Sequence, residues 1–121
     1  MAHNPGFLAL VNNAKTRIEE IDLAGYRAML EAGTPHLLID VREESEYASG
    51  HVKGALHLGK GIIERDIEVT APDKSSVLVL YCGGGFRSAL VADNLKKMGY
   101  EKPISLDGGW RALKESGLEL E

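Results

Sequence analysis

Residues Ser76–Gly99 read SVLVLYCGGGFRSALVADNLKKMG. Val77–Tyr81 is an apolar run of the kind expected for a strand buried on both faces. The chain's single cysteine, Cys82, stands where that strand ends. Gly83, Gly84 and Gly85 follow, then Phe86, Arg87 and Ser88, and from Ser88 to Met98 the pattern is helical. Leu90, Val91, Leu95 and Met98 share the packing face, Lys96 and Lys97 fall in the last turn, and Gly99 ends the helix. Glycines let backbone approach a ligand closely, and successive N–H groups can converge into an anion-binding nest. The helix start adds partial positive charge, and Arg87 adds a full charge with directional donors. A thiol in that field is expected to ionise below the free-thiol range of about 8.5. The plainer alternative, a structural cysteine packed beside a tight turn, accounts for neither the glycine run nor Arg87.

Outward from this stretch, strands and helices alternate. Thr16–Ile21 reads as an edge strand. Asp22 caps a helix carrying Leu23, Tyr26, Met29 and Leu30, stopped by Gly33 and Pro35. His36–Val41 reads as a central strand ending in Asp40-Val41-Arg42, and Glu43–Ala48 as a short helix ended by Gly50. A short strand near Ala55–Leu58, a flexible link at Gly59-Lys60-Gly61 and a helix over Gly61–Val69 precede the middle strand, Val77–Tyr81. Pro103–Leu106 reads as the last strand and Trp110–Ser116 as the last helix, with Leu118–Glu121 expected to fray. Phe7–Ala14 forms either a short helix or an arm on the body. The alternation predicts an α/β fold with a mostly parallel sheet and helices on both faces. In such sheets ligands bind at the carboxyl ends of strands, where both Cys82 and Asp40–Arg42 lie.

With 121 residues, 44% hydrophobic and 26% charged, the chain suits one soluble domain. Its net charge of −4 argues against nucleic acid as a partner, and no apolar run is long enough to cross a membrane. Nothing in MAHNPGFLALVNNAKTR reads as a signal peptide, so a cytoplasmic protein is expected. One cysteine excludes an internal disulfide or a CxxC pair. His3, His36, His51 and His57 lack metal-ligand spacing, so neither a metal nor a cofactor is expected.

Three signatures in order resemble the single-domain rhodaneses, a sulfurtransferase family. The loop matches Cys-x-x-Gly-x-Arg-Ser at Cys82, Gly85, Arg87 and Ser88. The upstream signature matches at Asp40, Arg42, Glu46, Tyr47, Gly50, His51, Val52, Gly54 and Ala55. Gly108-Gly109-Trp110 supplies the third. The resemblance spans about Ile18–Leu118 and implies a rhodanese-like three-layer fold with a five-stranded sheet. It implies one domain over residues 1–121, with a core of about 16–118 and an N-terminal helix or arm over 1–15.

The resemblance also implies chemistry. Cys82 as thiolate would take sulfane sulfur from thiosulfate or another persulfide donor, and a thiol or cyanide would remove it. The N–H groups of Gly83, Gly84, Gly85 and Phe86 would hold the persulfide anion, Arg87 would bind the anionic donor, and Ser88 would donate a hydrogen bond. Rhodanese-like phosphatases resemble Cys-x5-Arg, whereas Arg87 makes this loop Cys-x4-Arg. No basic residue stands at Gly83, Gly84 or Phe86, so thiosulfate is expected to bind weakly and Phe86 to favour an organic or protein donor. Two rivals are a non-enzymatic module that binds a partner or relays sulfur from a protein, and a redox sensor, which would lack a resolving cysteine. Asp40 and Arg42 either floor the pocket or support it through an ion pair such as Arg42 with Glu46. His51, His57 and Trp110 read as packing residues, and Glu43, Glu44 and Glu46 as a solvated helix face.

Overall fold

A computed structural model describes residues 3–121. Met1 and Ala2, at the head of the expected N-terminal arm, lie outside the described residues. Five strands form one sheet: β1 (Glu19–Ile21), β2 (Leu37–Asp40), β3 (Leu56–His57), β4 (Val77–Tyr81) and β5 (Lys102–Leu106). Their order is β1-β5-β4-β2-β3, and every pairing is parallel. The most apolar strand, β4, is the middle one, where both faces are covered and the hydrophobic gain is greatest.

Strand alternation divides the core. Leu78 and Leu80 of β4 pack with Ile39 and Val41 on one face, under Ile63 and Ile67 of helix α4 (Ile63–Thr70) and Val91, Ala92 and Leu95 of helix α5 (Phe86–Lys97). Val79 and Tyr81 point the other way, towards Tyr26 of helix α2 (Leu23–Glu31) and Leu113 of helix α6 (Gly109–Leu113). Cys82 continues the alternation onto the α5 face. Asp22 caps α2 by accepting from the Gly25 N–H at 2.8 Å.

Four readings change in tertiary context. The first strand is only Glu19–Ile21, because helix α1 (Pro5–Lys15) runs on to a C-cap at Thr16. Helix α1 packs on the body: Val11 and Ala14 are buried, and Arg17 just beyond it pairs with Asp93 of α5 at 2.8 and 2.9 Å. Helix α5 begins at Phe86 rather than Ser88, with Gly85 in left-handed backbone at the N-cap. The tail does not fray. Leu120 bridges Val52, and His51 and Glu121 exchange two backbone hydrogen bonds of 3.1 and 2.8 Å. The Gly59–Gly61 link is also tied down, with the Lys60 N–H on Val41 O at 3.0 Å.

Candidate functional site

Cys82 is 1% exposed and lies at the carboxyl end of β4. Its Sγ accepts from the backbone N–H of Gly85 at 3.2 Å and of Ser88 at 3.4 Å. The Ser88 hydroxyl lies 3.5 Å from the sulfur and 2.8 Å from the Ser105 hydroxyl on β5. As a thiol the sulfur donates to Ser88. As a thiolate it accepts a hydrogen bond from the Ser88 hydroxyl, while Ser105 in turn donates to Ser88 Oγ. Burial alone pushes the Cys82 thiol up, but the Ser88 hydroxyl and the amides of Ser88, Gly85 and Gly84 overturn it and hold the thiol below its ordinary value.

The loop amides face the sulfur because the loop carbonyls are held elsewhere. Trp110 N–H donates to Cys82 O at 2.7 Å, Arg111 N–H to Gly83 O at 3.1 Å and Gly108 N–H to Gly84 O at 3.3 Å. The Gly108-Gly109-Trp110 signature is therefore a clamp on the back of the loop. Gly109 has φ +47, and a Cβ there would sit 2.4 Å from Cys82 O and 2.9 Å from Gly83 C. Only glycine permits that approach.

Arg87 reaches Glu46 of helix α3 (Glu44–Ser49) by two hydrogen bonds, of 2.8 and 3.2 Å. Its pKa is raised by Glu46 first, against the opposing effect of burial, with Cys82 adding a smaller contribution. Glu46 also accepts from the Glu43 N–H at 3.0 Å, completing a capping box at the start of α3. Glu46 is thus not part of a solvated face, although Glu43 and Glu44 are exposed. Its acidity is increased by the Arg87 hydrogen bond, which outweighs partial burial.

The expected Arg42–Glu46 pair is replaced by a tighter one. Arg42 Nε lies 3.0 and 3.1 Å from the two Asp40 carboxylate oxygens, and Nη2 lies 2.8 Å from Oδ2. Nη2 also donates to Gly50 O at 2.7 Å, and the guanidinium sits 4.7 Å from the Trp110 ring centroid. Both charges are buried, so Asp40 and Arg42 brace the strand end rather than open onto the sulfur. His51 and His57 both stack on Tyr47, with ring centroids 3.7 and 4.6 Å away, and donate to the carbonyls of Tyr47 and Arg42. His57 lines a separate cavity beside α3 and α4, not the one at Cys82.

A cavity of about 300 Å³ opens on Cys82, Gly83, Gly84, Phe86 and Arg87. It is also lined by His3, Phe7 and Arg111. Sequence reading missed those three, together with Ser105 and the role of Glu46. A polar serine in an otherwise apolar strand was the one signal for Ser105. Nothing local connects residues 3 and 7 with residue 86.

Comparison with known proteins agrees with this geometry. The Rhodanese-like domain family matches residues 22–116. The Bacillus subtilis protein named "Putative sulfurtransferase YtwF" is 36% identical over 95 residues, covering 78% of this chain and 89% of that protein. Thiosulfate sulfurtransferase GlpE of Vibrio cholerae is 33% identical over 101 residues, covering 84% of this chain and 92% of its own. A Rhodopseudomonas palustris structure, described as a protein of unknown function and a "Possible Tyrosine Phosphatase", superimposes with a TM-score of 0.85 at 26% identity, covering 100% of this chain and 98% of that one. A parallel α/β sheet ending in a cysteine loop, a clamp of glycines behind it and sulfurtransferase relatives along most of both chains lead to one conclusion: this chain belongs to the rhodanese-like sulfurtransferase family.

Proposed function

We propose that the chain is a single-domain enzyme that moves sulfane sulfur through a persulfide on Cys82. The observation that carries the reading is the buried Sγ held by two amides and a hydroxyl, with the thiol kept acidic. The thiolate attacks the outer sulfur of the donor, the donor's S–S bond breaks, and its electron pair leaves with sulfite from thiosulfate or with a thiolate from an organic persulfide. The resulting Cys82 persulfide anion stays in the same nest, which stabilises it as an oxyanion hole stabilises oxygen. Cyanide or a thiol then attacks the outer sulfur, and the Cys82 thiolate is regenerated. Gly83, Gly84, Gly85 and Phe86 shape the nest, Ser88 donates to the sulfur, and Arg87 orients the loop through Glu46. Asp40 and Arg42 support the strand end. A cytoplasmic setting suits this reading, because the mechanism needs a reduced thiol.

The test is intact-mass measurement after mixing with thiosulfate or glutathione persulfide. One added sulfur is expected on the wild type, removed by cyanide or thiol and missing in Cys82→Ser. If no donor adds sulfur, a partner-binding module is the better account. Cys82-dependent hydrolysis of an aryl phosphate would instead favour the phosphatase chemistry named for the Rhodopseudomonas palustris relative.

A further inference from the structure

The cavity over Cys82 has two unlike walls, and part of one lies outside the matched family region. On one side the N-terminal segment brings His3 and Phe7 against Phe86. His3 lies 4.3 Å and Phe7 6.4 Å from the Phe86 ring centroid, and the two are 5.3 Å from each other. Lys15 of α1 lies 5.4 Å from the Phe86 ring centroid. This segment precedes residues 22–116, and the buried Val11 and Ala14 fix it to the body. On the other side stands Arg111, exposed at the cavity. Among the described residues its guanidinium makes no hydrogen bond or salt bridge, while Arg87 is engaged with Glu46. Among the described residues, Arg111 is therefore the cavity arginine whose guanidinium has no protein partner, beside Arg87, which Glu46 already holds.

A volume of about 300 Å³ has room for roughly ten waters. Thiosulfate alone would leave much of it unfilled. A small organic molecule fills such a space, with apolar walls for its carbon arm and one charge to fix its orientation. We infer that Arg111 and the Phe7–Phe86 wall form a donor-recognition subsite for a low-mass organic persulfide bearing a carboxylate. The inference rests on the sulfurtransferase reading of Cys82. In the bound donor, R–S–SH, the outer sulfur meets Cys82, the carbon arm lies along Phe7 and Phe86, and the carboxylate meets Arg111. The Cys82 thiolate bonds to the outer sulfur and the donor's S–S bond breaks, leaving R–S⁻. That thiolate takes the proton given up when Cys82–S–SH ionises to its persulfide anion, so R–SH departs with no external oxidant or reductant.

The experiment measures Cys82 persulfidation rates with glutathione persulfide, its diethyl ester and thiosulfate, in the wild type, Arg111→Leu and Phe7→Ala. Both variants should keep the wild-type melting temperature, since Arg111 is exposed and Phe7 lies on the cavity. Arg111→Leu is expected to slow the free acid about tenfold, the scale of one hydrogen-bonded charge, and to leave the ester unchanged. Phe7→Ala is expected to slow acid and ester alike, by about fivefold, and to leave thiosulfate unchanged. Equal effects of Arg111→Leu on acid and ester, or of Phe7→Ala on thiosulfate and glutathione persulfide, would overturn the subsite while leaving sulfur transfer standing. A wild type that takes sulfur from none of the three donors would remove the sulfurtransferase reading and the subsite with it.

Discussion

At the scale of single residues, the acidity of Cys82 rests chiefly on hydrogen-bond donors. Burial favours the neutral thiol, and the Ser88 hydroxyl with three amides reverses it. Activity should therefore persist as pH falls below the free-thiol range and be lost only as pH falls through the lowered Cys82 value. Ser88→Ala removes the hydroxyl, although the residue 88 amide remains. The sign follows directly: the alkylation rate of Cys82 with iodoacetamide should lose its plateau at higher pH than in the wild type, with a loss of about tenfold on the acid side. An unchanged pH profile would mean that the amides alone hold the thiolate. Ser105, behind Ser88, makes this hydroxyl a better donor by donating its own hydrogen bond to Ser88 Oγ when the sulfur is charged.

At the scale of elements, the loop is held from behind by α6. Three of its carbonyls accept from the amides of residues 108, 110 and 111, and this turns the amides of Gly85 and Ser88 towards the sulfur. The close approach requires glycine at 109. Gly109→Ala combines left-handed backbone with a 2.4 Å contact on Cys82 O, so it should cost more than about 2 kcal/mol in urea unfolding and slow persulfidation more than tenfold. Gly6→Ala is the control. Nothing lies within 4 Å of a Cβ there, and alanine in a helix should be neutral or stabilising. Equal behaviour of the two variants would mean that α6 does not set the loop.

At the scale of the whole molecule, the buried Asp40–Arg42 pair joins the end of β2 to the α3–β3 connection through Gly50 O, and to the clamp through Trp110. Arg42→Ala leaves the Asp40 charge buried without its partner, so a loss of about 3–5 kcal/mol is expected by thermal unfolding. Asp40→Leu combined with Arg42→Met should recover part of it, because no charge is then left inside. A single-variant loss below about 1 kcal/mol would show that the pair adds little to the fold.

The sequence by itself determined what is local or strictly ordered. A continuous apolar run marked β4, glycines with an arginine and a serine marked the loop, and three spaced signatures marked the family. Those features are written in consecutive residues, so no packing is needed to see them. Tertiary structure decided the partners. Arg42 was expected near Glu46, yet the fold places Asp40 under its guanidinium and leaves Glu46 to Arg87. The short tail looked free, but a bridge from Leu120 to Val52 exists only once the two segments meet. His3 and Phe7 reach Phe86, about 80 residues on, because buried Val11 and Ala14 seat α1 against the body. The physical reason is the same in each case: a side chain's partner is set by which backbones the core brings together, and that depends on the whole chain.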